Sequence, residues 1–534
     1  MPTLGTAYKR HTDFDGYDVI VIGSGIGGLT TAALLSRFGH KRVLVLERHF
    51  TAGGFTHTFT RPGYEWDVGV HYIGQVLGKR TLLSRLFATI TEGRLQWASL
   101  GQVYDQAVIG DFTFNFVAGR ENLRAALHAA FPHESAAIQG YLRAVGETVA
   151  ASQHYFAAKI LPGLAGKAAQ RMARGFYRYA NRTVHAVLTE LGASPLLMAV
   201  LTAQYGDYGL PPKQASFAMQ ALLAHHYFEG AAYPIGGSSS LAANIIPLVE
   251  AQGGAVLVRA EVQKILIRDG KAVGVRMHDG REILAPAVVS DAGFATTFTR
   301  LVPPETAQRI GALEAVQRVG LSMAHFALHV GLESSAEALN LPKHNLWLYP
   351  NERHDENVAR YLADPEAPFP MLFISSAAAR DPDFAHRHPG HATLEIVAPA
   401  NWAWFQRWEH TRWQKRGPDY EAFKARIRER LLEALYTALP QTRGHVRIAE
   451  LGTPLSTLTF AGHPQGSIYG LAHTPARFHE PLLRPATPIR GLYLTGADIS
   501  TAGVGGAAAG GLLTASVILK RNLIKALAQP QETA

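Results

Sequence analysis

The sequence predicts an α/β protein, with a discontinuous Rossmann-type dinucleotide-binding domain and a mixed α+β substrate domain. Three observations carry this prediction. Residues 18–47 read as strand, glycine turn, helix, strand and terminal acid. In mid-chain, "YPIGGSSSLAANIIPLVEAQGGAVLV" places a glycine pair and serines at the start of an amphipathic helix that leads into another short strand. Near the other end, "GLYLTGAD" (491–498) is a buried strand running into a glycine turn.

The elements follow in order. Asp18-Val19-Ile20-Val21-Ile22 is a β-branched apolar run, the pattern of a strand buried on both faces. Gly23, Gly25 and Gly28 fit G-x-G-x-x-G, in which successive glycines make the tight turn, admit a pyrophosphate to the backbone and let helix pack on strand. Leu29, Ala32, Ala33, Leu35 and Ser36 continue at helical spacing. The helix start offers unpaired N–H groups to phosphates. A second strand, Arg42-Val43-Leu44-Val45-Leu46, ends in Glu47, where an acid accepts hydrogen bonds from ribose hydroxyls and would repel a 2′-phosphate. The motif alone does not choose between FAD and NAD.

Next, "TAGGFTHTFTRPGYEWDVGVHYIG" (51–74) combines a Gly53-Gly54 pair with alternating residues, so it reads as loop plus strand beside the ligand. Residues 80–231 read as mostly helical, apart from strand-like "QAVIGDFTFNFV" (106–117). Val256-Leu257-Val258 is a strand. Beyond it, Asp269-Gly270 and Asp279-Gly280 are hairpin-turn pairs within a small antiparallel meander, and Val288-Val289-Ser290 returns to the parallel sheet. Residues 295–445 are mixed, with an amphipathic helix at 420–440. The expected dinucleotide domain is therefore 15–75, 232–300 and 446–525. The substrate domain takes 76–231 and 301–445, and 1–14 and 526–534 are polar tails.

Composition narrows the chemistry. The chain has 534 residues, 47% of them hydrophobic and only 17% charged, enough for a large core and about two to four domains. The absence of cysteine excludes disulfides, thiolate catalysis and cysteine-ligated metals. The 24 histidines show no ligand-like spacing with acids, so no metal site is expected. A net charge of +9 favours anionic partners, but no nucleic-acid motif is present. The first residues lack the apolar core of a secretory signal, and a cytoplasmic location is expected. The uncharged run Ile499 to Leu519 is rich in Gly, Ala, Ser and Thr and reads as a buried loop and helix rather than a membrane span. Residues 153–182 interleave Lys159, Lys167, Arg171, Arg174, Arg178 and Arg182 with Phe156, Ile160, Leu161, Leu164, Phe176 and Tyr177, without one acid. That pattern fits either peripheral contact with an anionic membrane or a solvated helix face over a core stripe.

Together the glycine motif, Glu47, the Gly-Gly segment, the meander and the C-terminal G-x-x-L-T-G-x-D resemble FAD-dependent flavoproteins of the amine oxidase and phytoene desaturase type. Within them, "YEWDVGVHYIG" (64–74), "SFAMQALLAHHYFEGAAYPIGGSSSL" (216–241), "GSIYGLAHTPARF" (466–478) and "GLYLTGADISTAGVGGAAAGGLL" (491–513) resemble the retinol saturase and carotenoid isomerase branch, on its retinol saturase side. The resemblance implies non-covalent FAD, with Gly23, Gly25 and Gly28 on the pyrophosphate, Glu47 on the adenosine ribose and Arg48 beside it. It implies that Gly53 and Gly54 pass the flavin linker, that Val262 offers backbone to the adenine and that Asp498 meets the ribityl–pyrophosphate region. Val504, Gly505 and Gly506 would open a helix facing the flavin ring, where the helix N-terminus stabilises negative charge.

The resemblance also places His71 and Tyr72 near the flavin. His71 could deliver a proton or simply hydrogen-bond in the core. His225, His226, Tyr469 and His473 could line a substrate tunnel or serve as structural groups. The implied activity is saturation of a carbon–carbon double bond in a hydrophobic polyene or unsaturated lipid. Desaturation or carotenoid isomerisation on the same scaffold is the alternative, and a flavin-free isoprenoid carrier is the non-enzymatic one. No second dinucleotide motif is present, so no NAD(P)H site is expected. No motif specifies the electron donor or the oligomeric state.

Overall fold

The computed structural model describes residues 3–10, 14–69, 71–78, 80–161 and 163–528. A six-stranded, wholly parallel sheet runs Thr6–Ala7, Ala255–Val258, Val43–Leu46, Val19–Ile22, Ala287–Ser290 and Leu492–Leu494 in spatial order. Alternation along its strands sends side chains to two separate cores. Val19, Val21, Val43 and Val45 pack under Leu29, Leu241 and Leu512, from the helices Ile26–Gly39, Ser240–Glu250 and Gly503–Ile518. Ile20, Ile22, Leu44 and Leu46 pack against Ile265 and Val275 of the antiparallel meander Val262–Arg268, Lys271–Met277 and Glu282–Leu284. The sheet is thus covered on both faces, as its continuous apolar strands require. Asp269 (φ 49°) and Gly270 (φ 70°) form the first hairpin turn in the left-handed region that this pair favours.

A second, mixed sheet of seven strands orders Val446–Gly452, Ala324–Leu332, Ala392–Ala400, Leu372–Ser375, Asn345–Tyr349, Val103–Ile109 and Phe112–Val117. One face packs on the helix Pro418–Ala438 through Ile427, Leu431 and Leu435. Further along the sheet, Trp347, Tyr349 and Phe373 join a large helical core that includes Tyr141, Phe176, Leu188 and Phe217.

Three expectations change. The boundary placed at 446 divides this sheet, because Val446–Gly452 pairs antiparallel with Ala324–Leu332. The tail expected at 1–14 contains an edge strand, Thr6–Ala7, paired with Leu257 and Val258, while residues 1–2 and 11–13 lie outside the described ones. At the other end Leu523 and Leu527 are buried in the core, so the helix Leu523–Ala528 continues the fold into the tail expected at 526–534, whose residues 529–534 lie outside the described ones. The basic stretch 153–182 covers the end of the helix Ser135–Ile160 and the helices Gly163–Met172 and Arg174–Ala180. Lys159 is not a surface charge: its Nζ donates to the Ile499 carbonyl at 2.9 Å, and burial pulls its pKa well down. Arg178 lies 3.7 Å from Glu147, and Arg182 pairs with Glu190, so acids outside the stretch neutralise two more cations. Among the described residues, no helix is long and apolar enough to cross a membrane.

Candidate active site

The glycine turn is built around Ser24. Its N–H and hydroxyl both donate to Glu47 Oε2, at 2.9 and 2.7 Å, and its Oγ accepts the Gly53 amide at 3.1 Å. Glu47 Oε1 accepts the His49 amide at 2.8 Å. Glu47 therefore ties the turn, the second strand's end and the Gly53-Gly54 segment together before any ribose arrives. Gly54 presses on the turn so closely that a Cβ there would lie 2.9 Å from the Gly25 Cα. The helix Ile26–Gly39 starts at Gly25 without a cap from the Gly25 position; Asp291 takes the Gly28 amide, and the amides of Ile26 and Gly27 precede it at the helix start.

Asp291, at the end of the Ala287–Ser290 strand, closes the floor of this cradle. A Cβ on Gly25 would lie 2.5 Å from its Oδ2, and one on Gly27 2.6 Å from its Oδ1. Burial pushes its carboxyl up to about 8. Glu47 and Asp498 push the same way, while the Gly28 amide pulls it down. A neutral carboxyl at this point does not repel a pyrophosphate. The cradle fits the dinucleotide: bare glycine backbone, a helix N-terminus, a ribose-side acid and a floor that burial holds neutral.

From this cradle a cavity of about 1380 Å³ runs between the two sheets. Gly23, Gly25, Glu47, Arg48, Gly54, Val262, Asp498 and Val504 all line it. Arg48 Nη2 donates to the Thr459 carbonyl at 2.9 Å. Asp498 accepts the amides of Phe294 at 2.7 Å and Leu471 at 3.0 Å, with Arg477 3.5 Å away. Gly28 stays inside the turn beside Asp291, and Gly53 holds Ser24. Gly505 and Gly506 are not on the cavity wall. A Cβ on Gly505 would meet Leu83 and His226, and one on Gly506 would collide with Thr501, so both serve close packing.

The far half of the cavity is walled by Trp347, Met371, Phe373, Val397, Tyr469 and three histidines: His71, His325 and His329. Burial pulls His71 down to about 3, helped by the nearby Arg380 guanidinium, and His325 and His329 down to about 4 and about 3. All three are neutral imidazoles at neutral pH. Ser375 Oγ lies 2.9 Å from His71 Nδ1 and donates to Glu395 Oε2 at 3.3 Å. Burial, and then the charge of Asp67, hold the Glu395 carboxyl well above its ordinary range. Arg380 also donates to the His71 carbonyl.

The other sequence candidates divide. Tyr469 reaches the cavity. Tyr72 does not: it stacks on Tyr227 at 4.5 Å and donates to Asp207 Oδ2 at 2.7 Å, and Asp207 is the group on the wall. His226 Nε2 accepts the Gly74 amide at 2.8 Å, and His225 Nδ1 meets Gln75 Nε2 at 2.9 Å. This pair therefore pins a strand, and neither lines the cavity. His473 Nε2 accepts the Ala502 amide at 3.0 Å, fixing the entry to the Gly503–Ile518 helix. The sequence reading missed Asp291, Asp207, Ser375 and Glu395. "VVSDAG" and "YGDYG" carry no periodic or spacing signal beyond turn residues, because burial by distant segments sets their chemistry.

Cradle and cavity together fit a dinucleotide-dependent oxidoreductase, and the relatives make it an FAD-dependent one. A model of the flavin-containing amine oxidoreductases matches residues 26–519. The all-trans-retinol 13,14-reductase of Danio rerio is 37% identical, covering 95% of this chain and 86% of its own length. The chloroplastic prolycopene isomerase of Arabidopsis thaliana is 26% identical, covering 91% of this chain and 80% of its own. Among solved structures, an oxidoreductase from Methanosarcina mazei superposes with TM-score 0.63 at 17% identity, over 94% of this chain and 100% of that one. The chain belongs to the flavin-containing amine oxidoreductase family.

Proposed function

We propose that the protein saturates one carbon–carbon double bond of a hydrophobic polyene of the retinoid type. The observation that carries this reading is the cavity: it leads from the dinucleotide cradle into a wall of aromatic side chains and uncharged imidazoles. Such a wall suits a long apolar chain. The 37% identity to a retinol reductase supports the same class. Reduced FAD, when bound, supplies hydride to one alkene carbon. Gly25, Glu47, Gly54 and Asp498 would hold the cofactor, and the apolar wall excludes water from the bond that is to be saturated.

Anaerobic incubation of the flavin-loaded protein with all-trans-retinol and a chemical reductant, followed by mass analysis, tests the reading. The expected product carries two more hydrogens than retinol. Incubation with prolycopene covers the alternative that the Arabidopsis relative raises: a product of unchanged mass and altered geometry there, with retinol untouched, would replace saturation by isomerisation.

A membrane surface is the expected source of such a substrate. In the helix Gly163–Met172, Leu164 and Met172 are 84% and 60% exposed, beside exposed Lys167 and Arg171, with Arg174 following. Apolar side chains ringed by exposed cations fit an anionic lipid surface. Binding to anionic vesicles is expected to weaken with salt, each cation contributing ~1 kcal/mol. Charge reversal at Lys167 and Arg171 is expected to abolish it. Equal binding to neutral vesicles, or unchanged binding by the reversed variant, would return this helix to plain solvent exposure.

A further inference from the structure

Asp207 is an acid on the cavity wall that no motif announces. It ends the single turn Tyr205–Asp207, on the cavity wall between Gly206 and the segment carrying Tyr469. The titratable groups near enough to sense its charge are Tyr72, Tyr227, Tyr469, Tyr208 and Tyr349, together with the carboxyl of Asp105. No ion pair reaches it among the described residues, and the Tyr72 hydroxyl is its hydrogen-bonding partner at 2.7 Å. Asp105 behind it is held by Asn345 at 2.7 Å and Gln204 at 2.5 Å.

Burial pushes the Asp207 carboxyl up to about 8, Asp105 pushing the same way and Tyr72 pulling it down. Asp105 itself is pushed up to about 7 by burial. His71 offers a contrast on the same wall: lowered to about 3, it is the neutral imidazole at neutral pH rather than the acidic imidazolium.

We propose that Asp207 is the acid that protonates the substrate carbon, and that Tyr72 positions it and holds the carboxylate left behind. This deepens the saturase reading and rests on it. The Asp207 O–H bond breaks as a C–H bond forms at one alkene carbon. The adjacent carbon takes hydride with its electron pair from the reduced cofactor, so the two hydrogens and two electrons of saturation are accounted for. The carboxylate accepts from Tyr72 and regains a proton from water after product leaves. His71 is left as a wall residue.

The sign of the pH dependence follows. The acid form acts, so turnover is expected to hold at neutral pH and fall as pH rises through the Asp207 pKa. Tyr72→Phe removes a donor that favours the carboxylate, so the fall should move to higher pH. Asp207→Asn is expected to slow retinol saturation ~100-fold or more while the protein stays yellow, and to lose the alkaline fall. Asp207→Glu should recover part of the rate. His71→Phe should cost well under ~100-fold.

A readout independent of turnover is the infrared difference spectrum of flavin-loaded protein between about pH 6 and about pH 10. Asp105, Asp291 and Glu395 are buried acids as well, so the wild-type loss of carboxylic-acid carbonyl absorbance on alkalinisation is a sum, and one component of it should be missing in Asp207→Asn. Asp207→Asn turning over at the wild-type rate, or an infrared difference unchanged in that variant, would overturn the assignment while leaving saturation intact. If retinol gains no hydrogens with wild type, the saturase reading fails and the catalytic assignment fails with it; the infrared band then still reports whether Asp207 is the neutral acid.

Discussion

Gly25→Val is expected to give a folded but colourless protein. Gly25 has φ −59°, a conformation open to any residue, so the defect is purely steric. The first carbon of a side chain would already sit 2.5 Å from Asp291 Oδ2, and Gly54 crowds the turn from the other side. Valine adds two methyl groups at the point where a pyrophosphate must touch backbone. Overpacking of this kind costs about 1–3 kcal/mol in stability, small beside the loss of the cofactor site. The measurement is visible absorbance after purification and again after incubation with excess FAD. A yellow Gly25→Val protein would show that the pyrophosphate lies elsewhere.

Arg477→Met is expected to carry the largest stability loss. Arg477 is 2% exposed, and its guanidinium donates to the carbonyls of Leu471, Ala497 and Asp498 at 3.0, 2.6 and 2.9 Å, with the Asp498 carboxylate 3.5 Å away. Methionine fills similar space but strands three carbonyls and a buried carboxylate. Removing one partner of a buried ion pair costs about 3–5 kcal/mol, a large share of the total of about 5–15 kcal/mol that holds a domain together. Thermal melting should fall sharply, with flavin release leading the loss of secondary structure, because Asp498 faces the cofactor cavity. Adding Asp498→Asn should recover part of the loss. A melting temperature equal to wild type for Arg477→Met would refute this account.

The legible parts of the molecule were those whose signals are local. Gly23 to Glu47, the Asp-Gly turns of the meander and the helix at 420–440 each complete their pattern within a few dozen residues. Their reading needs only periodicity, turn chemistry and a terminal acid. The seven-stranded sheet was not legible, because its neighbours come from residues 103–117, 324–400 and 446–452, and no short window records that pairing. The same holds for individual side chains. Asp207 and Tyr72 meet across 135 residues, and His71 and Ser375 across 304. Whether a carboxyl faces a cavity or a histidine pins a strand depends on what buries it, so Tyr72, His226 and His473 could be named as candidates but not assigned roles.

The parallel sheet has a consequence for biosynthesis. The hydroxyls of Thr31 and Thr495 meet at 2.8 Å although 464 positions separate them, and the strand Leu492–Leu494 adjoins Ala287–Ser290. At about 5–20 residues per second, the segment carrying Leu492–Leu494 leaves the ribosome tens of seconds after the glycine turn. During that interval Val19–Ile22 and Val43–Leu46 have each other but lack later neighbours, and their open edges are templates for pairing with other nascent chains. Cofactor loading must wait for the last strand and for Asp498. Yellow colour is therefore a marker of translation carried to the end of the sheet, and it separates finished molecules from arrested ones in a single spectrum.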